Sequence, residues 1–184
     1  TPEIKKDLFH HYEDFDVISP DSSVSKIFKS LWRSFSVSGQ LQKHEIDLFH
    51  GLSNELPDGI HKTKVPSVVT IHDLIFMRFP QFYKPVDRNI YYQKVKYACT
   101  AATRIIAISN QTKDDIVHFF NVNPEKIEVV YQSVSPRYYE IQNPDYLFEK
   151  YELPEAFILS VGTIERRKNQ LALLKAVHEG NINL

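Results

Sequence analysis

Three places in this 184-residue sequence put polar, reactive side chains where an apolar run stops. In the first, Val65-Pro66-Ser67-Val68-Val69-Thr70-Ile71 leads straight into His72-Asp73, an imidazole and a carboxylate able to hold, orient or exchange protons with a ligand. In the second, Ala156-Phe157-Ile158-Leu159-Ser160-Val161 meets Gly162-Thr163, and the three cations Arg166, Arg167 and Lys168 follow just before a helical pattern. Free backbone N–H groups, the helix dipole and cationic side chains together favour a phosphate there, and cations at a helix N-terminus call for an anion to offset the dipole. In the third, Arg104-Ile105-Ile106-Ala107-Ile108 ends on the hydroxyl of Ser109. Each has a plain structural alternative: Asp73 capping the next turn over a packed His72, Ser109 capping a helix, the basic triplet lying in solvent.

The elements that must position these groups follow from periodicity. Val68, Val69 and Ile71 are β-branched and nearly uninterrupted, the pattern of a parallel strand covered on both faces, and ligands of open parallel sheets bind at the carboxyl ends of strands. A helix is expected from Asp87 to Ala102, a strand from Arg104 to Ser109, a helix after Ser109 broken by Asn123-Pro124, and a strand from Lys126 to Tyr131, a right-handed βαβ series. Upstream, a short strand is expected at Phe15–Ser19 and a helix from Ser23 to Lys43, capped by Ser22 or Ser23. Its apolar stripe of Ile27, Leu31 and Phe35 beside Lys26, Lys29 and Arg33 reads either as a core face or as a basic helix lying on an anionic membrane. Asp47–Gly51 is a short strand, the loop Leu52–Lys64 has the length of a functional one, and Phe76–Tyr83 either walls a pocket or plugs a gap. Between Gln132 and Pro154, prolines, tyrosines and one short helical pattern mark a linker, after which Leu171–Val177 is a helix.

Composition mainly excludes. Lys plus Arg number 22 against 23 acids, a net charge of −1, so no global field draws the chain to nucleic acid. A lone Cys99 forms no internal disulfide and is read as packing; no apolar run is long enough to span a membrane; the histidines show no paired spacing diagnostic of zinc.

The blocks Asp47-Leu48-Phe49-His50-Gly51, Thr70-Ile71-His72-Asp73-Leu74, Arg104–Ser109, Lys126–Tyr131 and Val161–Asn169, in this order and spacing, resemble glycosyltransferase family 4, whose members are retaining enzymes of GT-B fold, two Rossmann-like domains facing across a cleft. The resemblance implies an α/β fold in which residues 1–135 form a partial acceptor-side Rossmann-like domain, 136–155 the interdomain linker, and 156–184 the first strand and helix of a nucleotide-sugar-binding domain. By it, His72 contacts the transferred sugar with Asp73 beside it, as the catalytic pair. Gly162, Thr163, Arg167 and Lys168 hold the donor diphosphate, and His50, Gly51, Asn54 and Ser109 face the acceptor cleft. Thr163 stands where many members have arginine, Gln132-Ser133 where Asn-Gly is common at the hinge, and the family's downstream glutamate pair and upstream glycine-rich loop are not among these residues.

The activity so implied is metal-independent, retaining transfer of a hexose, in the manner of a mannosyltransferase, from a GDP- or UDP-sugar to a glycan or lipid-linked acceptor in cell-surface polysaccharide or lipopolysaccharide biosynthesis. No cofactor is implied beyond the nucleotide-sugar substrate, and no nucleic acid. The implied setting is cytoplasmic, with peripheral contact at the inner membrane face, and these 184 residues alone are expected to be inactive. Two other classes stand beside it: a non-catalytic Rossmann-like module binding a glycan or protein partner, and a His-Asp hydrolase using Ser109.

Overall fold

The computed structural model describes residues 29–139 and 145–180 together with Ile18 and Pro20. Four parallel strands, β1 (Phe49–Gly51), β2 (Ser67–Ile71), β3 (Arg104–Ala107) and β4 (Ile127–Val129), form one sheet in the order β1-β2-β3-β4. Phe49 pairs with Ser67, Val69 with Ile105 and Ile105 with Ile127, so every strand ends on the same edge of the sheet. β2 and β3 occupy the centre, and Val69, Ile71, Ile105 and Ala107 are completely buried. At about 1.5–3 kcal/mol for each large apolar side chain removed from water, this centre dominates what holds the domain together.

Among the described residues, seven α-helices surround the sheet or follow it: α1 (Lys29–Phe35), α2 (Val37–Lys43), α3 (Ile75–Arg78), α4 (Pro85–Ala101), α5 (Asn110–Phe120), α6 (Asp145–Tyr151) and α7 (Gln170–Gly180). α4 begins as its sequence dictates. Lys84 is extended, Pro85 occupies the first helical position where no N–H is needed, and Asp87 faces the positive end of the dipole. Its Val95, Ala98 and Cys99 pack onto the sheet. α5 is capped at the front by the Ser109 hydroxyl, which accepts from the Thr112 N–H at 3.1 Å, and closed by Asn121 in the left-handed region at φ 52°. α4 and α5 are the crossover helices that parallel neighbours require.

Several expectations need correction. The strand expected at Ala156–Val161 does not form: the segment is irregular and Leu159 and Val161 are exposed, because a strand needs a ladder neighbour and none among the described residues pairs with it. In its described part, from residue 29 on, the helix expected over Ser23–Lys43 is interrupted at Ser36, within the weak helix formers Ser36-Val37-Ser38-Gly39. Leu31 and Phe35 are 54% and 63% exposed, so they form no core face; Leu41 enters the core instead. Ser22, Ser23, Ile27 and the strand expected at Phe15–Ser19 lie outside the described residues, Ile18 apart. The strands around Ile105 and Ile127 stop two residues earlier than expected, at Ala107 and Val129.

Candidate functional site at the carboxyl edge of the sheet

Since all strands are parallel, the residues following them gather on one edge. There the loop after β1 is stitched to the tip of β2 by a single residue. Asn54, at φ 58°, donates its N–H to the Thr70 carbonyl at 2.9 Å, and its Oδ1 accepts from the His72 N–H at 2.8 Å, continuing the β1–β2 ladder past Gly51. A left-handed backbone suits asparagine better than most residues. Gly51 is needed for the same approach: a Cβ there would collide with the Glu55 carbonyl oxygen and press on Leu56 Cδ2.

The His72 ring is held by the same loop. Its Nε2 lies 2.9 Å from the Leu52 carbonyl, which can only accept, so the proton resides on Nε2. Nδ1 then presents its lone pair to the Gln132 amide nitrogen at the long distance of 3.5 Å. Asp73 caps the next turn, its Oδ1 accepting from the Ile75 N–H at 3.1 Å, while remaining exposed. The tip is tied to α5 by the Thr112 hydroxyl, which donates to the His72 carbonyl at 3.2 Å. It is tied a second time by Arg78 at the end of α3, whose Nε bridges both carboxylate oxygens of buried Asp115 at 2.8 and 2.9 Å. That pairing holds Arg78 above its ordinary value.

A cavity of about 410 Å³ opens beside this tip. The loop after β1 lines it with Ser53, Asn54 and Glu55, the β2 tip with Asp73, and α3 and α4 with Phe76, Tyr91, Lys94 and Val95. Tyr83 completes the wall, and Glu165 and Arg167 enter from the basic turn. Burial raises the Tyr83 hydroxyl above its ordinary range, with Arg167 opposing and Asp73 and Glu165 adding to the rise. The basic triplet itself is a 3-10 turn, Arg166–Lys168, followed by Asn169 in the left-handed region and then α7. Arg167 Nε is 2.8 Å from Glu165 Oε2, and the Thr163 hydroxyl donates to Glu165 Oε1 at 2.7 Å. These two contacts, the hydroxyl first, keep the Glu165 carboxyl below its ordinary value. Some of the anion that the triplet calls for is thus resident in the protein. Among the described residues, Arg166 and Lys168 have no carboxylate within ion-pair distance.

A model of a known protein family, described as Glycosyltransferase Family 4, matches residues 2–138. The chain belongs to glycosyltransferase family 4. Among curated relatives, the chain is 28% identical over 140 residues to the O-antigen chain mannosyltransferase B of Escherichia coli, covering 74% of this chain and 35% of that protein. It is 30% identical over 139 residues to the serotype-specific mannosyltransferase WbdA of Escherichia coli, covering 71% of this chain and 17% of that protein. The chain therefore spans about a third or less of the length of these relatives.

Within this family 4 chain, the expected site residues are only partly united. Asp73, Asn54 and Arg167 line the one cavity. His72 stands next to it in sequence with its ring turned to Leu52 and Gln132. His50 bonds through Nε2 to the Thr70 hydroxyl at 2.8 Å, Gly51 is packed, Ser109 is a helix cap, and Gly162, Thr163 and Lys168 are outside the cavity lining. With its hydroxyl accepting at the cap and no base against it, Ser109 is not set up as a nucleophile. Tyr91, Lys94 and Glu55 were not singled out from sequence. The only signal was that Tyr91, Lys94 and Val95 share one helical face, which periodicity alone assigns to packing. Among the described residues no three His, Cys, Asp or Glu side chains cluster to hold a metal ion, and no helix is long and apolar enough to cross a membrane.

Proposed function

We propose that this chain is the acceptor-side part, with the opening of the donor side, of an enzyme that moves a hexose from a nucleotide sugar to a glycan or lipid-linked acceptor during assembly of cell-surface polysaccharide. The observation that carries the reading is the cavity shared by Asp73 of the β2 tip and Arg167 of the basic turn. The names of the relatives favour mannose, hence GDP-mannose as donor. As the bond from the anomeric carbon to the diphosphate breaks, negative charge grows on the phosphate oxygens. Arg167, with Lys168 and Arg166 beside it, stabilises that charge electrostatically. In this mechanism Glu165 yields Arg167 to the diphosphate.

His72 serves as an acceptor of a hydrogen bond. With Nε2–H committed to Leu52, Nδ1 takes a hydroxyl of the transferred sugar in place of the long Gln132 contact. Asp73 faces the positive charge that develops at the anomeric carbon. Retention and independence of metal belong to the proposal, as does inactivity of the 184 residues alone. Exposed Leu31 and Phe35 flanking Arg33 are consistent with peripheral contact at a membrane surface.

The test is nucleotide release from a panel of GDP- and UDP-sugars by the full-length protein, with and without EDTA, and the anomeric configuration of the product by NMR. Release from one donor, undiminished by EDTA and lowered about a hundredfold or more by Arg167→Ala, is the expected result. An unchanged rate in that variant refutes the role given to the basic turn.

A further inference from the structure

The cavity has a second character in its aromatic wall. Phe76, Tyr83 and Tyr91 meet there in mutual contact, with ring centroids 5.9 Å apart for Phe76 and Tyr91, 6.5 Å for Phe76 and Tyr83, and 6.2 Å for Tyr83 and Tyr91. Phe76 is buried beneath the two tyrosines, whereas Tyr91 is 47% exposed, so the corner is a rigid aromatic surface with one ring open. Three residues along α4 from Tyr91, Lys94 places its Nζ 3.0 Å from Glu55 Oε2, and Arg33 of α1 reaches the other oxygen at 3.1 Å. The aromatic corner is therefore bordered by a carboxylate fixed from both sides.

The charge pattern narrows what this corner can take. In the cavity lining Lys94 is paired with Glu55 and Arg167 with Glu165, and Asp73 has no ion-pair partner among the described residues. With Arg33 on Glu55 counted, the three carboxylates and three cations around the cavity balance, and an acidic or phosphorylated group seated on the tyrosines would meet a lysine that is already paired. A neutral sugar ring fits both halves of the surface. Its C–H face packs on an aromatic ring, and its rim of hydroxyls can donate to Glu55 and accept from Lys94. A volume of about 410 Å³ also suits one or two sugar rings by the scale of small-ligand pockets.

We propose that Tyr91, Tyr83 and Phe76, with Glu55 and Lys94, form the subsite for a neutral sugar ring, the terminal residue of the acceptor glycan. This rests on the transferase reading above and goes past it in assigning the acceptor's chemical class and the side chains that select it. Tyr91 supplies the stacking surface, and Glu55 orients the hydroxyls while Lys94 and Arg33 hold it still. An acceptor that offered only a lipid diphosphate would gain nothing from this corner.

The experiment uses the full-length protein and has two arms. In the first, saturation-transfer NMR measures binding of the methyl α-glycosides of mannose, glucose and galactose, with mannose 6-phosphate and glucuronate as charged counterparts. At least one neutral glycoside binds, the charged sugars bind more weakly, Tyr91→Ala and Glu55→Gln each weaken binding about fivefold or more, and Tyr91→Phe retains it. In the second, steady-state transfer shows Tyr91→Ala raising the acceptor KM by about tenfold with a much smaller change in the donor KM. Tyr91 is half exposed, so its truncation leaves the fold intact, and far-UV circular dichroism checks this. The proposal is overturned if no neutral glycoside binds, if a charged sugar binds as well, or if Tyr91→Ala leaves binding unchanged. Binding lost in the variants of a protein that releases nucleotide from no donor would uphold the sugar subsite and refute the transferase reading instead.

Discussion

Asn54 is a single side chain that should report on both the fold and the cavity. Replacing it with alanine removes the acceptor of the His72 N–H and puts a residue with a Cβ at φ 58° without the local polar compensation asparagine has. The first loss costs about 1–2 kcal/mol for a half-buried donor left without its partner, and the second about 1 kcal/mol. Asn54→Ala is therefore expected to destabilise by about 2–3 kcal/mol in urea unfolding followed by circular dichroism. Asn54→Gly removes the acceptor but accepts the backbone conformation, and should be the more stable of the two by about 0.5–1 kcal/mol. Asn54→Asp keeps an oxygen facing the His72 N–H and should cost least. Amide exchange sharpens the result: the His72 N–H should exchange faster in the alanine and glycine variants than in the aspartate variant. If Asn54→Ala costs under about 0.5 kcal/mol, or glycine proves no better than alanine, the argument that this residue extends the sheet past Gly51 is refuted.

Three further outcomes are expected. Ile105, fully buried at the sheet centre, should cost about 2–5 kcal/mol when cut to alanine, measured by denaturant midpoint at unchanged slope. Arg78→Lys should behave like Arg78→Ala in loosening α3, seen as faster exchange of the Met77 and Phe79 amides, because a single ammonium cannot replace the fork that bridges both Asp115 oxygens. The buried Cys99 thiol is pushed up to about 12 by desolvation, so it should stay inert to a disulfide reagent at about pH 8 until urea unfolds the chain. An acid whose folded value is raised binds more protons when folded, so this group's contribution is complete below the unfolded value of 9.0 and is lost as pH climbs towards 12. Lys126, lowered by burial, acts in the opposite sense over the alkaline range, and Cys99→Ala isolates the thiol's share.

What was legible in the sequence was whatever a single segment decides. The β-branched run from Val68 to Ile71 named the central strand and put His72 and Asp73 at its tip, and Ser109 declared the cap of the helix that follows β3. Strand lengths and the Ala156–Val161 segment were not legible in the same way, since pairing depends on a neighbour remote in sequence. Leu31 and Phe35 repeat at helical spacing yet find nothing to cover them among the described residues. The cavity's aromatic corner was half legible: Phe76–Tyr83 presented itself as wall or plug, and is both, with Phe76 plugging and Tyr83 lining. Tyr91 could not be tied to it because their meeting is made by the turn between α3 and α4. Glu165, two residues from Arg167, lay in plain view, but whether an acid so close bends back to pair depends on the turn that Gly162 and Asn169 permit at positive φ.

The parallel arrangement that gathers every strand end on one edge has a kinetic corollary. Asp73 and Arg167, which line the same cavity, are separated by about ninety residues of chain, so closing the cavity carries a loop-closure entropy that no local helix or turn offsets. During synthesis the sheet and its helices can assemble well before the basic turn leaves the ribosome. The pocket is then completed last, as a docking of the late segment onto a finished platform. The property most sensitive to partial unfolding from the carboxyl-terminal side would accordingly be ligand capture, lost while the sheet still stands.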